Sequence, residues 1–339
     1  MRFGDIHLIA VLFAEVERLS KGQEIDIVSE DGTRENAQGV REALLAKGFD
    51  AQCVPVGDDV SGLIRRLTEL QPQAIFNLAE TVLGESSLEC FVPDLLDFLG
   101  IPYTGSDAAA INLCLDKVRT KQVLLENGIP TPSYQVMETA SRDALKISLP
   151  VIVKPIREDG SLGIHQGSVV REKSRLAEQV DFIVRHYHQP ALVEEYVGDR
   201  EFNVAILGNG SKCALPLCEI DYSSMPEGMP KIVSFNAKWF PDSPEYQGSM
   251  PVCPAKITKA LAAQIEKTAF ATYKACGLRD YGRIDLRWDE KHPPTVVDVN
   301  PNPAITPDAG FVLSSRMAGI GYPDLLEKIT SLALARHEP

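Results

Sequence analysis

Two stretches towards the end of the chain carry residue types suited to chemistry. Tyr281-Gly-Arg-Ile-Asp-Leu-Arg and Val296-Val-Asp-Val-Asn-Pro-Asn set Arg283, Asp285, Asp298 and Asn300 at the ends of two apolar runs that read as neighbouring strands. One cation and three oxygen-bearing side chains can then converge. That set suits Mg2+, a hard ion that takes carboxylate and amide oxygens and shares its shell with nucleotide phosphates. A hairpin with charged ends would show the same pattern.

Phosphate-type residues stand upstream. Val151-Ile-Val-Lys-Pro sends Lys154 out of the end of an apolar strand, and Arg157-Glu-Asp-Gly-Ser-Leu-Gly follows. Small residues such as Gly160 and Ser161 let backbone N–H groups approach a phosphate closely. An ordinary surface turn is the plainer reading, and no Gly-Lys-Ser/Thr closes the loop as in a Walker motif. Leu192-Val-Glu-Glu-Tyr-Val and Arg200-Glu-Phe set Glu194 at a strand end and Glu201 just beyond. These carboxylates can accept from an adenine amino group and from ribose hydroxyls, or be plain surface charge. His186 and His188 read as solvated groups near the end of a helix rather than as a metal pair.

These residues need a scaffold, and the bulk numbers allow one. The 339 residues, 44% of them hydrophobic, can bury a large core split over two or three domains. A formal charge of -13 argues against a nucleic-acid groove or an anionic membrane surface, though a local basic pocket can still hold phosphates. No apolar run is long enough to span a membrane. The opening run is interrupted by Asp5 and His7 and followed by Glu15 and Glu17, so it reads as a first strand and not as a signal peptide. Seven cysteines without a Cys-x-x-Cys pair fit reduced thiols in a cytoplasm.

Along the chain, the apolar runs Ile6–Phe13, Ala51–Val56 and Ala74–Leu78 alternate with the amphipathic stretches Asn36–Lys47, Ser61–Leu70 and Glu89–Leu99, a pattern that predicts parallel sheet with crossover helices. Gly100-Ile-Pro-Tyr-Thr-Gly-Ser is a turn-rich hinge ahead of a helix over Asp116–Glu126. Strands are expected at Tyr134–Met137, Pro150–Lys154, Ser168–Val170, Ala191–Val197, Glu201–Leu207 and Lys212–Ile220, with a helix over Ser174–His186. A long loop, Asp221–Pro254, has the length of a lid or binding segment. Helix Lys256–Cys276 carries Ile257, Leu261, Ile265 and Ala269 on one stripe.

In this order, Lys117 in Asp-Lys-Val-Arg-Thr-Lys, Lys154, Glu194, Glu201, Lys238 in Asn-Ala-Lys-Trp, Cys253-Pro-Ala, Arg283-Ile-Asp285 and Asp298-Val-Asn300 resemble the ATP-grasp superfamily. Pro102-Tyr-Thr-Gly-Ser106 and Gly282-Arg-Ile-Asp285 are similar to its D-alanine–D-alanine ligase branch, and the resemblance runs from about Phe76 to Ile329. It implies an α/β ATP-grasp fold: an N-terminal Rossmann-like (pre-ATP-grasp) substrate domain (residues 1–104), then a central (105–194) and a C-terminal (195–339) α+β subdomain that sandwich the nucleotide. It further implies that Glu194 and the main chain at Val197 meet adenine and Glu201 the ribose. Lys117, Lys154, Lys238, Gly160 and Ser161 would serve the phosphates. Asp285, Asp298 and Asn300 would hold two Mg2+, for which Mn2+ can substitute. Arg283, Lys238 and Ser161 would be catalytic. A carboxylate would be phosphorylated by ATP and the acyl phosphate attacked by an amine, with Arg283 and backbone near Ala304 stabilising the oxyanion.

Several positions depart from that branch. The resemblance implies a Ser–Tyr–Glu group that holds the ammonium of the first D-alanine. Here its serine is Gly160, its tyrosine is Trp239, and residues 14 to 36 carry no matching glutamate motif. Asn300-Pro-Asn-Pro-Ala-Ile-Thr lacks a serine for the acceptor carboxylate and has Ala304 where glycine is usual, beside Asn302. Asp298 replaces a glutamate. A pocket that loses such groups rejects the ligand that needed them. The expectation is therefore a cytoplasmic ATP-dependent carboxylate–amine ligase, with a homodimer allowed. Its small-molecule acid and amine would be other than two D-alanines, with Trp239, Ala304 and Asn302 facing substrate. Two alternatives stay open: a divergent D-alanine–D-alanine ligase using Glu15, Glu17 or Glu30, and a non-catalytic ATP-binding regulator.

Overall fold

The computed structural model describes residues 8–139, 145–209 and 214–337. The apolar run Leu8–Ala14 forms β1 and is almost wholly buried, as a central parallel strand covered on both faces must be. With α1 (Thr33–Ala46), β2 (Asp50–Val56), α2 (Val60–Leu70), β3 (Ala74–Leu78) and α3 (Phe91–Leu99) it makes a three-stranded parallel sheet of order β2-β1-β3. Asp59 accepts from Gly62 N to cap α2, and Gly100, at φ 67, ends α3. The start of the expected first strand, at Ile6, lies outside the described residues.

Next come α4 (Ala108–Leu115), α5 (Lys117–Glu126), β4 (Tyr134–Met137), β5 (Val151–Pro155), β6 (Val169–Val170), α6 (Lys173–Tyr187) and β7 (Ala191–Glu195). The four strands form an antiparallel sheet of order β4-β7-β5-β6, backed by Leu176, Val180 and Ile183 of α6. The remainder holds β8 (Arg200–Leu207), β9 (Cys218–Asp221), α7 (Phe235–Trp239), α8 (Pro244–Gln247), β10 (Met250–Val252), α9 (Lys259–Ala275), β11 (Tyr281–Trp288), β12 (Thr295–Asn300), α10 (Gly310–Met317) and α11 (Tyr322–Ala335). Its five-stranded sheet has the order β10-β9-β8-β11-β12 and packs on Leu261, Ile265 and Ala269 of α9.

Packing ties distant segments together. Cys114, Leu124 and Ile129 join the core under β8, β11 and β12, while Phe311, Val312, Leu325 and Ile329 close the N-terminal sheet against Ile9, Val11 and Phe13. Buried Asp280 accepts from Gly105 N at 3.0 Å and from Arg336 Nη2 at 2.7 Å, knitting the hinge to the end of α11. Gly105 has φ 88, and a Cβ there would lie 2.2 Å from Asn302 Oδ1, so this turn requires glycine.

Some expected elements differ. Strand Lys212–Ile220 is reduced to β9 because Pro216 interrupts the ladder; Ala214 keeps one bridge to Ile206, and Lys212 lies outside the described residues. The helix expected from Lys256 starts at Lys259, where Thr258 caps Leu261 N. Ser168 belongs to a 3-10 turn ahead of β6. The stretch expected as the loop Asp221–Pro254 contains α7, α8 and β10, with Ser234 and Ser243 capping the two short helices.

Candidate active site

Alternation along β11 puts Arg283, Asp285 and Arg287 on one face, and the antiparallel register sets Asp285 opposite Asp298 and Arg283 opposite Asn300. Arg283 Nε and Nη2 reach the two oxygens of Asp285, each at 2.8 Å, and Asn203 and Asn300 donate to the same carboxylate at 2.7 and 3.1 Å. Burial opposes charge on Arg283, but Asp285 outweighs it and raises the guanidinium further. Asp285, Asp298 and Asn300 thus share one face of the two strands, with the Asp285 oxygens engaged by Arg283, Asn203 and Asn300. Two carboxylates and an amide do not enclose an ion alone, which fits Mg2+, an ion that keeps waters and phosphate oxygens in its shell.

Lys117 opens α5, oriented by the capping carboxylate of Asp116, which also receives Arg157. Its ammonium donates to Glu158 O at 2.6 Å and lies 3.7 Å from both Asp159 and Asp298. One turn on, Lys121 meets Glu194 at 2.7 Å, as an ion pair off the hydrogen-bond direction, and Lys154 meets it at 2.6 Å. Burial would raise Glu194, but the two ammonium groups prevail and bring it down to about 2. Lys154 also reaches Val297 O of β12 at 3.3 Å, joining the two antiparallel sheets.

Glu201, at the start of β8, accepts from Tyr222 and from Arg287 Nη1, both at 2.9 Å. Arg287 additionally donates to the carbonyls of Val197, Gly198 and Lys231, so one buried guanidinium fixes the link between β7 and β8. In the loop after β5 Gly160 and Ser161 both have φ 62. Ser161 Oγ donates to Val233 O at 2.9 Å and Trp239 Nε1 to Gly160 O at 2.8 Å, so segment 231–240 is bound over the loop. Phe235 seats in the core of the central sheet.

Of these parts Gly160, Trp239, Arg283 and Asn300 border a cleft whose walls also include Lys238, Asn302 and Ala304. Asn302 accepts from Ser106 N at 3.3 Å and donates to Glu89 at 3.4 Å. Lys117, Ser161, Asp285 and Asp298 do not line this cleft, nor do Lys154, Glu194, Val197 and Glu201, which belong to the two antiparallel sheets and the turn between them. The segments around the N-terminal sheet add Glu30, Glu80 and Glu89 to the cleft wall, and the loop after β5 adds Asp159. Glu80 is open to the cleft yet deep within the molecule, and that desolvation raises its carboxyl to about 7. Lys238, likewise open to the cleft, is lowered by desolvation.

The family model described as D-ala D-ala ligase C-terminus matches residues 123–331. The chain belongs to the D-alanine–D-alanine ligase family. The family is one of ATP-dependent ligases with the ATP-grasp fold, acting on small molecules. Among curated relatives, the D-alanine–D-alanine ligase of Bordetella avium is 31% identical over 291 residues, covering 85% of each chain. The uncharacterized protein y4sG of Sinorhizobium fredii is 36% identical over 263 residues, 78% of this chain and 75% of its own. The crystal structure of the D-alanine–D-alanine ligase of Bacillus anthracis complexed with ATP superposes with a TM-score of 0.76, at 22% identity, over 97% of this chain and 98% of that one. This likeness bears out the expected fold of one parallel and two antiparallel sheets. No described helix is long and apolar enough to cross a membrane.

Sequence reasoning passed over Lys121, Arg287, Tyr222, Asp159, Glu80 and Glu89. Two left a signal: Lys121 follows Lys117 by one helical turn, and Arg287 continues the alternation of Arg283 and Asp285. The others stand in turns and amphipathic stretches, where a single polar residue reads as solvated.

Proposed function

We propose that the protein is a carboxylate–amine ligase that forms an acyl phosphate from ATP and joins it to an amine, and that its substrates are not two D-alanines. The observation that carries the second part is the Trp239 to Gly160 contact. The position expected to offer a tyrosine hydroxyl offers an indole N–H, already spent on a carbonyl, and its neighbour has no side chain. Neither supplies an acceptor to an ammonium group.

In this reading the nucleotide lies between the antiparallel sheets, with Lys117 and Lys154 toward its phosphates. Arg287 occupies the Val197 carbonyl, which leaves the Val197 N–H for the base, and Glu201 faces the ribose. Mg2+, held by Asp285, Asp298 and Asn300, would neutralise charge on the transferred phosphoryl group. Lys238 reaches the cleft from segment 221–254, which acts as a lid. A free carboxylate is a poor electrophile, and phosphorylation turns one of its oxygens into a leaving group. Attack by the amine then places negative charge on the carbonyl oxygen, toward Arg283, whose Nη1 is not used in binding Asp285. Phosphate and ADP depart.

The competing reading, a divergent D-alanine–D-alanine ligase, draws support from Glu30, which lines the cleft, whereas Glu15 pairs with Arg34. A regulator without turnover has little use for Arg283, Asp285 and Asn300 held together. Phosphate release measured over pairs of carboxylates and amines tests the proposal: turnover with a pair lacking D-alanine is expected, and turnover confined to D-alanine would overturn it.

A further inference from the structure

We infer that Lys21 is a positioning residue for the nucleotide: by pairing with buried Glu158 it neutralises the carboxylate beside Lys117 and leaves the Lys117 ammonium for a phosphate. The inference rests on the nucleotide reading above, which turns Lys117 toward the phosphates, and adds to it a residue from outside the two antiparallel sheets.

Glu158 follows β5 and is 4% exposed. Its carboxylate gathers three segments. Lys21, between β1 and α1, lies 2.9 Å from Oε1, Gln189 Nε2 donates to the same oxygen at 2.7 Å, and Ser86 Oγ donates to Oε2 at 3.0 Å. Of these three partners Lys21 alone carries charge. A carboxylate taken this far from water needs a counter-charge, and removing that partner leaves a buried ion uncompensated.

The same residue holds Lys117 through its main chain. Glu158 O accepts from Lys117 Nζ at 2.6 Å, and Ile156 O accepts from Lys117 N at 3.0 Å. Between them Arg157 Nη2 donates at 2.7 Å to Asp116, the cap of the helix that Lys117 opens. Burial would lower the Lys117 ammonium, but the charges of Asp298, Asp159 and Glu158 outweigh it. Without Lys21, Glu158 would draw that ammonium more strongly and compete with a phosphate for it.

Lys21 is carried to this junction by a fastened segment. Gly22 N donates to His186 O at 2.7 Å, and Tyr187 Oη donates to buried Asp26 at 2.7 Å, so the segment is seated on the end of α6. On its other side Ser20 N donates to Gly84 O at 3.1 Å, and Lys21 lies 3.3 Å from Glu85. The Lys21 side chain keeps 17% exposure, so replacing it opens no cavity in the core.

The test is calorimetric titration of the full chain with Mg2+ and a non-hydrolysable ATP analogue and, separately, with adenosine. Lys21→Met should bind the analogue about tenfold more weakly, while adenosine, which has no phosphate for Lys117 to meet, should bind within about twofold of wild type. Lys21→Arg, which keeps the charge, should bind the analogue as wild type does. The double variant Lys21→Met with Glu158→Gln removes both charges and should recover most of the loss. Lys21→Gln, neutral but still a hydrogen-bond donor, replaces Lys21→Met in every arm if that variant does not fold. Unchanged analogue binding in the neutral variant, equal losses for analogue and adenosine, or a double variant no better than the single one would each overturn the inference and leave the nucleotide reading standing. A wild-type chain that binds no analogue would sink the nucleotide reading and take this inference with it.

Discussion

Trp239 donates its indole N–H to the carbonyl oxygen of Gly160 across 2.8 Å, and by this bond the segment between β9 and β10 is fastened to the loop after β5. Gly160 has φ 62, so restoring a serine at this position would strain the backbone by about 1 kcal/mol before any new contact formed. The altered pocket is therefore built into the loop as well as into the side chains.

Trp239→Phe keeps the ring and loses the donor. A hydrogen bond of this type contributes about 0.5–1.5 kcal/mol, so the closed arrangement should be several-fold less populated. Limited proteolysis of the variant should cut within 221–254 faster than in wild type, and an ATP analogue should restore part of the protection. Identical digestion rates would show that the bond does not hold the segment.

Asp285→Asn should abolish ADP formation. It should also lower the melting temperature, because Arg283 loses its bidentate counter-charge. Asp298→Asn separates the two effects: Asp298 lies 3.7 Å from Lys117 and makes no pair with Arg283, so activity should fall with a smaller thermal cost. Full turnover by either variant would remove that residue from the metal assignment.

Much of this site was legible in the chain because its residues sit on regular elements. Arg283, Asp285, Asp298 and Asn300 stand at alternating positions of two apolar strands, and alternation fixes which side chains share a face. Lys154 and Glu194 follow apolar strands in the same way. Helix α4 was missed because Ala-Ala-Ala-Ile-Asn-Leu-Cys-Leu has almost no polar face to set a helical period. Glu80 and Glu89 carry no local mark at all, since only the packing of the N-terminal domain against Asn302 turns them toward the cleft. The mutual neutralisation of Lys121, Lys154 and Glu194 is likewise a tertiary fact, arising where β7 passes between β5 and β4 beside α5.

Glu194 stands at about 2 against an ordinary value of 4.5. A depressed carboxyl stabilises the fold fully above about 4.5, and that contribution is lost as the pH falls from there toward 2. Glu194→Gln, which leaves two buried ammonium groups unpaired, should cost about 3–5 kcal/mol near neutrality. Urea unfolding of wild type and variant should show this gap at pH 7 and a smaller one at pH 3.5. A gap independent of pH would mean that the carboxylate is not the stabilising charge.

Glu80 runs the other way. Its carboxyl is raised from 4.5 to about 7, so the folded protein holds its proton more tightly than the unfolded chain, and stability contributed by this group declines as pH rises through that interval. Without ligand, Glu80→Gln should melt at a higher temperature than wild type at pH 8 and close to it at pH 5. No difference at pH 8 would place Glu80 in a better compensated setting than the cleft provides.

The account turns on whether the altered pocket still accepts D-alanine. Purified protein with ATP, Mg2+ and millimolar D-alanine, assayed by mass spectrometry for D-alanyl-D-alanine beside ADP, measures this directly. The expected result is no dipeptide and no ADP above the substrate-free rate, from a preparation that turns over another carboxylate and amine. Efficient formation of D-alanyl-D-alanine would contradict it and make this chain a D-alanine–D-alanine ligase that holds its first substrate through Glu30.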